Sequence, residues 1–209
     1  ALEICNITKE TTDPEMGTIF RDENGEPTGY LLETAAFLVT AKALKFAPEK
    51  LEEMMLNYYR AAATYGITSM SDMQIFNTIN YEIHAQLERQ NKLTTRIHFN
   101  IPLLTEIEEV YAIKDKYNSE KLMFSGVKEF IDGTPLGYTG LMLEPYCDQP
   151  DNYGRTMMDL NVMKDLILQM DKAGIRIRLH ACGDGAVRFG LDAFEEAQRV
   201  NGVRDSRHT

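Results

Sequence analysis

The feature that most limits what this chain can fold into is its alternation of short apolar runs with longer amphipathic ones. Ile67 to Met70, Arg96 to Ile101, Gly126 to Ile131 and Ile175 to His180 read as strands. Helical patterns run from Tyr81 to Gln90, Glu106 to Tyr117, Asn161 to Lys172 and Asp184 to about Val200. Strands joined through helices of this length are βαβ units, and they make a parallel sheet. The expected fold is therefore α/β: a partial (βα)8 TIM-type barrel, parallel strands with flanking helices. At 209 residues the chain falls short of the roughly 250 of a complete eight-unit barrel.

The chain is organised differently before that alternation begins. Asp13-Pro14 and the run Asp22-Glu23-Asn24-Gly25-Glu26-Pro27-Thr28-Gly29 are turn-rich, and Asn-Gly favours a tight hairpin turn. Residues 1–30 are read as a loop and hairpin segment inserted in the barrel domain, and residues 31–209 as the partial barrel. A helix is expected from Leu31 to about Leu44. A second follows Pro48, a good first helical residue, and ends at Gly66.

With 32 acidic against 22 basic residues, the net charge is −10, and no basic stripe offsets it. That balance argues against nucleic acid and against anionic membrane surfaces. No apolar run approaches the ~18 residues of a membrane span, and the first residues lack the pattern of a signal peptide. Cys5, Cys147 and Cys182 are scattered and odd in number, which fits a reducing, cytoplasmic setting. The chain opens on Ala1 and stops at Arg207-His208-Thr209, and is expected to be an internal piece of a longer protein.

Alternation places Lys128, Phe130 and Asp132 on one face of their strand, and Arg176, Arg178 and His180 on one face of the next. The carboxyl ends of barrel strands form the catalytic mouth. An ammonium inside Val-Lys-Glu-Phe-Ile is expensive to bury without a reason. Taken singly, Lys128 reads equally well as a snorkelling or ion-paired lysine, and His180 as a core or capping histidine. Together, each followed by a glycine-broken turn, they point to a metal site.

The remaining candidates are weaker. Asp132, His98, Tyr138 and Tyr146 are candidate substrate contacts; the two tyrosines lie on the long Gly133–Asp159 loop, which also carries Leu136 and Tyr153 and has the length of a lid or specificity loop. For His98, a place in the core is the better reading. His84, among Glu82, Gln86 and Glu88, reads as a solvated face residue. Gly183 to Arg188 suggests an anion cradle at a helix N-terminus, but Asp184 as the helix cap is the plainer account. The methionine pairs read as core filler.

Several of these segments, taken in order, resemble one family. Arg21-Asp22-Glu23-Asn24-Gly25-Glu26-Pro27-Thr28-Gly29-Tyr30-Leu31-Leu32-Glu33, Gly66-Ile67-Thr68-Ser69, the stretches around Lys128 and His180, and Leu191-Asp192-Ala193-Phe194-Glu195 are similar to the amidohydrolase superfamily. The branch is the one containing YtcJ-like proteins and N-substituted formamide deformylase. The resemblance implies a distorted barrel fused to a small β-sandwich, with a divalent metal, zinc above others. It implies hydrolysis of amide or related C–N bonds of a small molecule by a metal-activated water. Lys128 matches the strand-four lysine, often carboxylated, and His180 the strand-five histidine. The family's HxH pair occurs nowhere in this sequence, nor do its strand-six histidine and strand-eight aspartate, the general base. His208 is not expected to be that strand-six ligand. The chain thus corresponds to about strands two to five and is expected to be inactive alone, with no catalytic residue of its own.

Two other readings stay open. One is a non-catalytic half-barrel that forms a homo-oligomer by pairing its exposed strand edges. The other is an aldolase-like barrel in which Lys128 forms a Schiff base.

Overall fold

The computed structural model describes residues 1–73 and 81–209. They form two compact units, Ala1–Ala47 and Pro48–Thr209.

In the first unit a short helix α1 (Leu2–Cys5) precedes a hairpin of β1 (Gly17–Arg21) and β2 (Pro27–Glu33), and α2 (Phe37–Ala43) follows a 3-10 turn over Thr34–Ala36. The hairpin is antiparallel, from Gly17 against Glu33 to Arg21 against Pro27. Its turn is built by Asp22, whose Oδ1 accepts the Asn24 and Glu26 N–H groups at 2.9 Å each. Ile7, Ile19 and Ala35 are its buried core. The helix expected from Leu31 begins instead at Phe37, because Leu31 and Leu32 continue the strand against Ile19 and Thr18. Residue 30, the expected end of this segment, lies inside β2, and the compact unit runs on to Ala47.

The second unit follows the expected alternation closely. Its elements are α3 (Pro48–Thr64), β3 (Ser69–Asp72), α4 (Tyr81–Arg89), β4 (Arg96–Pro102), α5 (Ile107–Lys116), β5 (Leu122–Phe130), α6 (Leu160–Lys172), β6 (Ile177–His180) and α7 (Asp184–Asn201). The four strands lie side by side in chain order, and every pair is parallel. The sheet curls as a half-barrel with its helices flanking it.

One face of the sheet carries the apolar side chains. Ile97, Phe99 and Ile101 on β4, Val127 on β5 and Ile177 on β6 share one buried cluster with Val110, Ile113, Met163, Ile167, Met170 and Ala193 from the helices. Burying such side chains contributes about 1.5–3 kcal/mol each. The other face is the inner wall of the curl: Arg96, His98 and Asn100 on β4, Lys128 and Phe130 on β5, Arg178 and His180 on β6.

Register on that wall is reset once. Phe99 pairs with Phe124, but Asn100 pairs with Gly126, leaving Ser125 as a bulge residue. Gly126 takes φ 135°, and a Cβ there would run into the Arg176 carbonyl. The bulge sets which β5 side chains face inward and so brings Lys128 opposite Pro102 and Arg178.

Candidate metal centre

Lys128 and His180 sit near the carboxyl ends of neighbouring parallel strands. Lys128 pairs in register with Arg178, and Phe130 with His180. The Phe130 ring collects both candidates: the Lys128 Nζ lies 4.1 Å from its centroid, and the His180 ring meets it edge-on at 4.9 Å. His180 is exposed, and its Nε2 lies 3.2 Å from the Cys182 Sγ.

Lys128 is 9% exposed, and its Nζ donates to the Glu129 carbonyl at 2.6 Å. Burial pulls its pKa down to about 8, against the opposing charge of Glu129. The amine is therefore far more often neutral, and more nucleophilic, than a surface lysine. Burial likewise raises the Glu129 carboxyl; its Oε1 accepts the Phe130 N–H at 3.0 Å.

Asp132 is 1% exposed and occupied by backbone. Its carboxylate accepts the N–H groups of Leu141 (2.8 Å), Cys182 (2.9 Å) and Gly183 (2.8 Å). It thereby fastens the long loop after β5 to the turn after β6. The Leu141 carbonyl in turn accepts the Gly185 and Ala186 N–H groups at 3.0 and 3.3 Å. Those bonds occupy the α7 N-terminus, so an anion cradle there is not what the residues make. Gly183 is the N-cap, and a Cβ on it would overlap the Leu141 carbonyl. Asp184, expected as the cap, is the first helical residue and accepts the Leu143 N–H at 2.9 Å.

The other candidates separate. Tyr146 donates to the Gly140 carbonyl at 2.9 Å. Burial raises its pKa against the lowering bond to Gly140, and the charges of Asp132 and Cys182 add to the rise. Tyr138 packs edge-on against Tyr146 at 5.1 Å and donates to Asp148 at 2.5 Å on the exposed side of the loop. His98 faces the inner wall but pairs with Ser71 and Met123, well below Lys128. At roughly 3.3 Å per residue it lies about 13 Å down the strand from Pro102, the register partner of Lys128.

Two residues show what spacing alone conceals. His84 is buried at 2% exposure, not solvated: its Nδ1 meets the Tyr59 hydroxyl at 2.5 Å and its Nε2 the Asp72 carboxylate at 2.8 Å. The signal was its place beside Ile83 and three residues before Leu87, on the buried stripe of α4. Arg178, which carried no assigned role, is 8% exposed and bonds Asn100 Oδ1 and the Ser125 carbonyl and hydroxyl.

Among the described residues, no group of three or more His, Cys, Asp and Glu side chains is placed to hold a metal ion. Lys128 and His180 nevertheless fit as two members of a larger donor set: a nitrogen base of lowered basicity beside an exposed imidazole on one aromatic ring.

The fold agrees with what the chain resembles. Residues 1–209 match the Amidohydrolase family. The chain belongs to that family. Among curated relatives, Protein LONG AFTER FAR-RED 3 of Arabidopsis thaliana is 31% identical over 218 residues, covering 99% of this chain and 37% of that protein. Putative amidohydrolase YtcJ of Bacillus subtilis is 29% identical, over 98% of this chain and 39% of its own length. N-substituted formamide deformylase of Arthrobacter pascens is 25% identical, over 95% and 38%. The crystal structure of an uncharacterized metal-dependent hydrolase from Pyrococcus horikoshii superposes with a TM-score of 0.68 at 23% identity, covering 93% of this chain and 38% of that one. The chain thus spans about two-fifths of the length of these relatives.

Proposed function

We propose that this chain supplies the lysine and histidine ligands of a divalent metal centre in a hydrolase acting on amide or related C–N bonds of a small molecule. The observation that carries the reading is the convergence of Lys128 and His180 on Phe130 at the ends of adjacent parallel strands. The names of the relatives, an amidohydrolase and a formamide deformylase, support the bond class. A divalent metal, zinc in this reading, supplies an acidified water and a polarised carbonyl when bound. Lys128 offers a neutral nitrogen that carboxylation converts to an anionic oxygen donor, and His180 offers its imidazole. Asp132 holds the loop over the mouth by its amides, and Tyr146 narrows the rim. The setting proposed is the cytosol.

Two donors fall short of the three protein ligands of a catalytic zinc, so turnover by this chain alone is not expected. Self-association is the weaker partner reading. Thr209 already engages the Ile177 carbonyl and the Leu179 N–H of β6, at 3.0 and 2.7 Å. The lowered Lys128 pKa also suits a Schiff-base amine, and reductive trapping with carbonyl compounds separates that chemistry from ligation.

Metal content of protein purified without chelator tests the proposal. About one equivalent per chain, lost in Lys128→Ala and in His180→Ala, is the expected result. Wild-type protein that stays metal-free in excess zinc would mean that these two residues do not hold a metal without the rest of the donor set.

A further inference from the structure

Cys182 lies two residues past His180, in the turn that leads from β6 into α7. Its Sγ stands 3.2 Å from the His180 Nε2, and both side chains are exposed. On one tetrahedral zinc, a sulfur at about 2.3 Å and a nitrogen at about 2.0–2.1 Å are separated by about 3.5 Å. The two donor atoms therefore already stand close to the spacing that a shared ion sets.

The backbone holds the thiol in that place. The Cys182 N–H donates to the Asp132 Oδ1 at 2.9 Å, and the Gly183 N–H to its Oδ2 at 2.8 Å. A Cβ on Gly183 would overlap the Leu141 carbonyl, so the turn is packed tightly against the long loop. The strand pattern hides this donor, because Cys182 lies beyond the end of β6 and shares no face of it.

Resting on the metal-hydrolase reading above, we propose that Cys182 is a further ligand of the centre, its thiolate binding the same divalent ion as the His180 imidazole. The ligand set implied by the resemblance contains no cysteine. When the ion binds, the thiol proton passes to water and a sulfur–metal bond replaces the S–H bond. A thiolate beside an imidazole suits zinc and disfavours magnesium, calcium and manganese, which prefer oxygen donors. Asp132 then has a second effect: by holding the Cys182 amide it sets the sulfur beside the imidazole.

Cobalt(II) is the probe, because a thiolate ligand gives it an intense charge-transfer band in the near ultraviolet. Titration of the reduced chain should develop that band and saturate at about one equivalent. Cys182→Ser should abolish the band and weaken cobalt binding about tenfold or more. Cys147→Ser alters the other exposed thiol and should leave both unchanged. In the wild-type chain, saturating zinc should slow alkylation of Cys182 and spare that of Cys147, read by peptide mass; this measurement serves if Cys182→Ser does not fold. A band that persists in folded Cys182→Ser would overturn the assignment. So would a wild-type chain that shows no band and alkylates Cys182 equally fast with and without zinc. The metal content of Lys128→Ala and His180→Ala decides the two-residue reading separately: cobalt bound without the band, and lost in both variants, would leave that reading standing and remove Cys182 alone.

Discussion

Two regions of the second unit bury charge, and they do it in opposite ways. Where α6, α7 and residues 202–209 meet, Asp171 is 2% exposed and fully answered. It accepts Asn201 Nδ2 at 2.8 Å, Arg204 Nη2 at 2.6 Å and His208 Nε2 at 2.8 Å. His208 is satisfied on its other side by the Ile177 N–H at 3.1 Å, and its ring stacks on Phe194. On the inner wall, Lys128 and Arg178 have only neutral acceptors. The seam closes its charges on one another. The wall gives its cations neutral hydrogen-bond acceptors, and Lys128 feels the Glu129 carboxylate without a salt bridge to it.

The seam is therefore where a single deletion should cost most. Asp171→Ala leaves the buried His208 and the partly exposed Arg204 without their carboxylate acceptor, and losing such hydrogen bonds costs about 1–3 kcal/mol. Urea denaturation of the two proteins measures it. A loss below about 1 kcal/mol would mean that water reaches the seam, and the contrast with the wall would fail.

A smaller effect appears in acid. Burial pushes the His208 imidazole below its usual 6.5, outweighing the pull of Asp171. Burial alone would raise the Asp171 carboxyl, but the bonds from Asn201 and His208 and the charge of Arg204 hold it below 3.8. Nδ1 accepts the Ile177 N–H, so the ring proton sits on Nε2 and a second proton would face a donor. Both groups have depressed folded pKa values, so their contribution to stability is full above pH 6.5. It declines first as His208 charges, then again through the carboxylate range. The His208 limb has a slope of at most about 1.4 kcal/mol per pH unit. His208→Asn should remove the first decline and keep the second; a wild-type profile flat from pH 7 to 5 would contradict this account of the ring.

Legibility followed the same division. The alternation of β3 to α7 was readable because each element repeats its own period, and Lys128 and His180 stood out because a cation and an imidazole interrupt apolar strands. The hairpin end was misread because Leu31 and Leu32 suit a helix as well as a strand, and only their pairing with β1 decides. His84 and Arg178 were missed for a related reason. Their roles come from partners far along the chain: Tyr59 and Asp72 for one, Asn100 and Ser125 for the other. Asp132 was readable as a candidate substrate contact, but not as the holder of three amides that only the loop's return brings near.

The smallest effect has the opposite sign. If the wall holds charge for chemistry rather than for stability, removing that charge should strengthen the fold. Lys128→Met keeps the length of the side chain and its contact with Phe130 while deleting the ammonium. In metal-free protein without bicarbonate, the gain at pH 7 should be roughly 1 kcal/mol, typical of relieving a functional compromise. Its pH dependence is specific. The folded pKa of Lys128 is lowered from 10.5 to about 8, so the lysine's contribution is fully present only above 10.5 and is lost as pH falls through about 8. The advantage of the methionine should hold up to pH 8 and shrink to nothing between there and 10.5. A variant less stable than wild type at pH 7 would instead make the Glu129 carbonyl and the Phe130 ring sufficient partners for the ammonium, and the wall would then be as well satisfied as the seam.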